Sequence, residues 1–134
     1  MLFRSAFDPR VLALTVFPGF DPTAAAGLLD PARVRAVVVR AFGLGNVPQS
    51  VVPLVRTLVD AGIEVVVTSQ CHRGQTRMDM YAGGRALLAA GAVAGRDLTF
   101  EAAVVKTMWA LAHPEQPLAT WLASDLAGEA SQAS

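Results

Sequence analysis

The stretch RAFGLGNVPQ, residues 40–49, sets an arginine, two glycines and an asparagine directly after the apolar run RAVVVRAF. The Arg40 guanidinium can hold a carboxylate through two parallel N–H bonds. Gly43 and Gly45 leave backbone N–H groups open to an anion, and the Asn46 carboxamide can both donate and accept. Together these groups suit a small polar ligand bearing a carboxylate and an amide. A glycine after a strand is equally what a turn in any α/β chain requires, so the spacing alone does not separate binding from turn formation. The loop is not a dinucleotide fingerprint, because the third glycine is missing and Pro48 stands where the helix should start.

A second polar loop, TSQCHRG, brings Ser69, Gln70 and Cys71 to the end of another apolar run. Cys71 beside His72 has the residue types of a nucleophile and its base, but neighbours in an extended segment point to opposite faces. Cys71 therefore reads as a crevice-packing residue rather than a thiolate nucleophile. Asp79 and Tyr81 read as cap and interface residues, and His113 as a helix-end residue favoured by the dipole. Glu101 and Lys106 do not have the spacing of three or four that would pair them on a helix. Met108, Trp109 and Trp121 read as packing residues. With one cysteine and two histidines, neither a disulfide nor a zinc site is available. No metal, cofactor, catalytic triad or phosphate loop is implied.

Such loops must be carried by a scaffold, and the apolar pattern supplies one. Val11 to Phe17, Arg35 to Phe42 and Ile63 to Thr68 are short apolar runs bounded by turn residues, the pattern of strands buried on both faces. Ala92 to Ala94 is a minor fourth strand. Between them, Asp21-Pro22 starts a short helix limited by Pro31. Pro53 to Ala61 places Leu54, Val55, Leu58 and Val59 on one face and ends at Gly62. A small-residue helix runs from about Tyr81 to Ala90. Thr99 caps a long helix with Glu101 in its first turn, and a last helix spans about Pro117 to Leu126. The alternation predicts an α/β fold: a small three-layer, Rossmann-like domain with a parallel sheet of three to four strands flanked by helices. In such a sheet the loops FPGF, RAFGLGN and TSQCHRG leave the same edge, where ligands bind. Residues 1–10 read as a linker remnant, 11–128 as the domain and 129–134 as a disordered tail.

The chain has 134 residues, 53% of them hydrophobic, which is the size and apolar content of one domain with a real core. Eleven acids balance eleven bases, leaving no basic footprint for nucleic acid. No segment has the length of a membrane span, and the start lacks the apolar core of a signal peptide. A soluble, cytoplasmic protein is expected.

The segments VLALTVFPGFDP, AVVVRAFGLGNVPQ and GIEVVVTSQCHRGQTRMDMYAGGRALLAAGAVAGRDLTFEAAVVKTMWALA, with a closing LAGE, together resemble the C-terminal domain of bacterial type I L-asparaginases. The resemblance runs from about Asp8 to Glu129. Its most specific parts are the Gly-x-Gly-Asn-x-Pro loop, the Thr-Ser-Gln-Cys strand end and the Asp-Leu-Thr-x-Glu-Ala helix start. It implies a family that hydrolyses L-asparagine to aspartate and ammonia with two threonines, an aspartate and a lysine. Those residues belong to an N-terminal domain, opening on Thr-Gly-Gly-Thr, that this sequence does not contain; Thr15 and Thr68 lie in or at the end of strands instead.

The resemblance further implies a homodimer or tetramer in which the Gly-x-Gly-Asn asparagine lies at a subunit boundary, beside a second, regulatory site for L-asparagine or a similar amino acid. Carried over by motif, Arg40, Asn46 and Cys71 line that effector site and Gly43, Gly45 and Gln70 shape it. His72, Thr76 and Pro53 depart from the family pattern around it. The implied partner is an N-terminal asparaginase domain, in cis or in trans. Alternatives are a stand-alone amino-acid-binding module, and the archaeal glutamyl-tRNA amidotransferase subunit that shares the asparaginase architecture; the motif wording favours the type I asparaginases.

Overall fold

The computed structural model describes residues 6–27, 29–42, 46–69 and 82–129. Four strands, β1 (Val11–Thr15), β2 (Ala36–Ala41), β3 (Glu64–Ser69) and β4 (Val93–Ala94), form one parallel sheet in the order β1-β2-β3-β4. Helices α1 (Pro22–Ala26), α2 (Val51–Asp60) and α3 (Ala82–Ala89) fall between successive strands, and α4 (Phe100–Leu111) and α5 (Leu118–Ala123) follow β4. Each new strand is added on the same side of the last. Right-handed crossovers then place α1, α2 and α3 on one face and leave the other to α4 and α5.

Alternate residues of the strands obey this division. Val37, Val39, Val65 and Val67 pack with Leu29, Val55, Leu58 and Leu87 on the crossover face. Val38 and Val66 pack with Ala103, Ala110 and Leu122 on the other. The expected three-layer α/β architecture is the one observed, and the minor fourth strand expected at Ala92 to Ala94 is found at Val93–Ala94. β2 and β3 are the buried centre: Val37, Val38, Val65, Val66 and Val67 are fully buried, each worth on the order of 2 kcal/mol in removed apolar surface. β1 differs from its expectation. It ends at Thr15, and Ala13 and Thr15 are exposed because it is an edge strand with a neighbour on one side only. The buried residue of that run is Val16, just past its end.

Local signals set the helix ends. The Asp21 carboxylate accepts from the Thr23 N–H at 2.9 Å, and Pro22 occupies the first helical position. Thr99 Oγ1 accepts from the Ala102 N–H at 3.1 Å. At the end of α2, the N–H of Gly62 (φ +84°) donates to Val59 O and that of Ile63 to Leu58 O, and the buried pair Ile63 and Leu58 seals the turn. Gly91 (φ +101°) repeats the arrangement after α3 with bonds to Leu88 O and from Ala92 to Leu87 O. Each motif turns a helix straight into the next strand. α5 is shorter than the expected span to Leu126, because Ser124 is already extended (ψ 147°) and its hydroxyl donates to Thr120 O at 2.8 Å.

Candidate functional site at the carboxyl edge of the sheet

Arg40, Thr68 and Gly95 share one row across the sheet. Arg40 is the register partner of Thr68, and Val67 is that of Ala94, which sets Gly95 beside Thr68. Thr68 is fully buried and donates its hydroxyl to Val39 O at 3.4 Å. Arg40 is half-buried on the α4 side, its guanidinium carbon 5.3 Å from the centre of the Phe100 ring in the first turn of α4. This stacking holds a planar cation against an apolar surface.

Asn46 closes the glycine loop by a two-way backbone bridge to Phe42, with bonds of 2.8 and 2.9 Å. Its side-chain Oδ1 accepts from the Val47 N–H at 3.0 Å, which leaves the carboxamide NH2 as the donor end. A methyl at Gly83, near the start of α3, would stand 2.6 Å from that Oδ1 and 2.9 Å from Val47 O. Glycine is therefore what lets α3 approach the loop. The fold brings Arg40 and Asn46 to one sheet edge, but against different layers: Arg40 on α4, Asn46 on α3. Gly43, Gly45, Gln70 and Cys71, together with His72, Asp79 and Tyr81, lie outside the described residues.

Four arrangements were not foreseen from the sequence. Arg96, in the turn between β4 and α4, has φ +58°, a left-handed conformation that costs an ordinary residue about 1 kcal/mol. Lys106, on the sheet side of α4 with Ala103, Thr107 and Ala110, has a side chain only 5% exposed. It reaches Ser124 O and, at 2.5 Å, Glu129 Oε1. The Glu129 carboxylate also accepts from the N–H groups of Leu126 and Ala127. Glu129, the first residue of the segment expected to be a disordered tail, is thus fastened to α4. Its partner lies too far along the chain for helix spacing to reveal it. Likewise Asp8, from the expected linker remnant, bonds Arg10 and Arg35 and donates its N–H to Met108 O at 2.9 Å.

The fourth arrangement joins the tryptophans to His113. The His113 ring stacks on Trp109 at 4.0 Å and its Nδ1 lies 2.7 Å from Trp109 O, while Trp121 Nε1 donates to His113 O at 2.8 Å. The helix-end position expected of His113 is observed, with a carbonyl partner added. On the outside of α4, Phe7, Ala102, Val105, Trp109 and Leu126 line an apolar cleft of about 520 Å³ with Lys106 and Glu129 in its wall. Among the described residues, no cluster of three or more His, Cys, Asp and Glu is placed to hold a metal ion, and no helix is long and apolar enough to cross a membrane.

Comparison with known proteins bears on the family of the chain and on its fold. Residues 10–120 match the family model of the glutaminase/asparaginase C-terminal domain. A glutamyl-tRNA(Gln) amidotransferase subunit of Methanosarcina acetivorans is 35% identical over 132 residues, covering 97% of this chain and 31% of the relative. The amidotransferase subunit of the same name from Pyrococcus furiosus is 36% identical over 106 residues, covering 79% of this chain and 24% of the relative. Among solved structures, the thermostable L-asparaginase from Thermococcus kodakarensis superposes with a TM-score of 0.84 at 27% identity, covering 96% of this chain and 40% of that one. L-asparaginase I from Vibrio cholerae superposes with a TM-score of 0.78 at 28% identity, covering 92% and 37%. The chain spans between about a quarter and a third of the curated relatives it matches.

Proposed function

Because the chain belongs to the glutaminase/asparaginase C-terminal domain family, we propose that it is the interface and effector-binding domain of an asparaginase-type amidohydrolase, binding L-asparagine or a similar small amino acid without hydrolysing it. The observation that carries this reading is the joint placement of Arg40 and Asn46 at the carboxyl edge of the sheet. Arg40 takes the ligand carboxylate and the Asn46 carboxamide meets the ligand amide. Gly43, Gly45, Gln70 and Cys71 complete the pocket in this reading.

The strand order supports a pocket shared with a second copy of the chain. Open α/β sheets bind ligands where strand order reverses, and among the described residues the order β1-β2-β3-β4 contains no such point. In this reading a second chain supplies the opposite wall, as in a homodimer or tetramer. Hydrolysis is assigned to an N-terminal domain in cis or in trans.

A second reading has its own support. The relatives named above at 35% and 36% identity are amidotransferase subunits, so the chain is equally read as a piece of an asparaginase-like subunit serving glutamyl-tRNA(Gln). An ammonia-release assay tests both at once. The purified chain is expected to release no ammonia from L-asparagine or L-glutamine. Release restored by an asparaginase N-terminal domain alone favours the first reading, and release that also requires glutamyl-tRNA(Gln) favours the second. Turnover by the chain alone refutes both.

A further inference from the structure

Arg96 is held in the left-handed region, at φ +58°, as the first central residue of a turn closed by the Leu98 N–H on Gly95 O at 3.2 Å. The turn cannot slide to relieve it. Gly95 is bonded through its N–H to Val67 O at 2.8 Å, and a methyl there would stand 2.9 Å from Thr68 Cγ2. Glycine at position 96 would remove the strain at once, so an arginine kept in this conformation points to a use for its side chain.

Its place suggests which use. Gly95 stands in the row of Thr68 and Arg40, about 10 Å from Arg40 at two interstrand spacings, and Arg96 follows it directly. The segment from Arg96 leads into Phe100, the ring on which Arg40 stacks. Arg96 is half-buried. No hydrogen bond or ion pair engages its guanidinium among the described residues, whereas the neighbouring Asp97 is already engaged. Glu101, the other nearby acid, lies exposed in the first turn of α4.

We infer that Arg96 is a second carboxylate-binding arginine of this edge, meeting the α-carboxylate of the amino-acid ligand from the side opposite Arg40. A carboxylate has lone pairs enough for two guanidinium forks. The inference rests on the effector-site reading given above.

The test is calorimetric titration of the full chain with L-asparagine and with L-asparaginamide, which carries a neutral amide in place of the α-carboxylate. The wild-type chain is expected to prefer L-asparagine. Arg96→Gly is expected to lose about tenfold of that preference and to melt at a higher temperature, while Arg96→Lys retains part of it. An undiminished preference in Arg96→Gly overturns the inference and leaves the effector site standing. A lower melting temperature for Arg96→Gly overturns its strain premise. Binding of neither compound by the wild-type chain refutes the effector-site reading, and the inference falls with it.

Discussion

Lys106 Nζ lies 2.5 Å from Glu129 Oε1, with the lysine side chain 5% exposed and the glutamate 21% exposed. The pair ties the end of the chain to the middle of α4, and its two members are not equivalent. Removing the carboxylate leaves an almost wholly buried ammonium with the Ser124 carbonyl as its remaining partner. Removing the ammonium leaves a carboxylate that is partly solvated and still holds the Leu126 and Ala127 N–H groups. Glu129→Gln is therefore expected to cost about 2 kcal/mol and Lys106→Met about 1 kcal/mol, both below the range for a fully buried pair. Urea denaturation of the two variants checks the order; a Lys106→Met cost well above that of Glu129→Gln contradicts it.

The same carboxylate sets an acid response. Burial pushes the Glu129 carboxyl up, but the Lys106 ammonium and the nearby backbone N–H groups outweigh burial and bring it from 4.5 down to about 2. At the other end of the chain, the Arg10 guanidinium holds Asp8 down at about 2 from 3.8. A folded-state value below the unfolded one means stability that is complete above the unfolded value and lost as pH falls through the folded one. Stability should thus hold from neutral pH to about 5 and drop between about 5 and 2. Urea midpoints measured across that range should fall less steeply for Glu129→Gln than for wild type. Parallel curves would show that the ion pair contributes nothing to the acid transition.

Gly83 is where α3 meets the glycine loop. A methyl there faces Asn46 Oδ1 at 2.6 Å and the Val47 carbonyl at 2.9 Å, and the backbone carbonyl cannot swing aside as a side chain can. Gly83→Ala is expected to destabilise the chain by about 1–3 kcal/mol and to shift the Asn46 backbone and side-chain amide resonances in 15N-correlated spectra. Unshifted Asn46 resonances would contradict this close approach.

Thr107 is fully buried on α4, and its hydroxyl has no hydrogen-bond partner among the described residues. A buried hydroxyl without a partner carries its desolvation cost unrelieved. Thr107→Val, which keeps the branched shape, is expected to be neutral or to stabilise by up to about 1 kcal/mol. Thermal unfolding checks it; a loss of more than about 1 kcal/mol would show that the hydroxyl is satisfied, by a bound water or otherwise.

Much of the architecture was legible because its signals are local. Three consecutive valines in β2, Asp21-Pro22, Thr99, and glycines at 62 and 91 each determine a boundary through the backbone around them. The exposure of β1 was not legible, since an edge strand and a central one share the same apolar run and only the strand order separates them. The Lys106–Glu129 pair was hidden for a related reason: the chain must turn after α5 before the two meet. At the candidate site, Arg40 and Asn46 were visible as residue types after an apolar run. That they rest on α4 and α3 required the crossovers to be assigned to faces. Arg96 was invisible because nothing in its identity or neighbours signals a left-handed backbone.

In the function proposed above, this domain binds L-asparagine through Arg40 and does not hydrolyse it. A calorimetric titration of the purified chain with L-asparagine tests it most directly, because binding and turnover leave different traces. The wild-type chain is expected to give a saturable isotherm that is lost in Arg40→Ala. Heat that continues to flow after each injection, or a wild-type chain that shows no saturable binding, would contradict it.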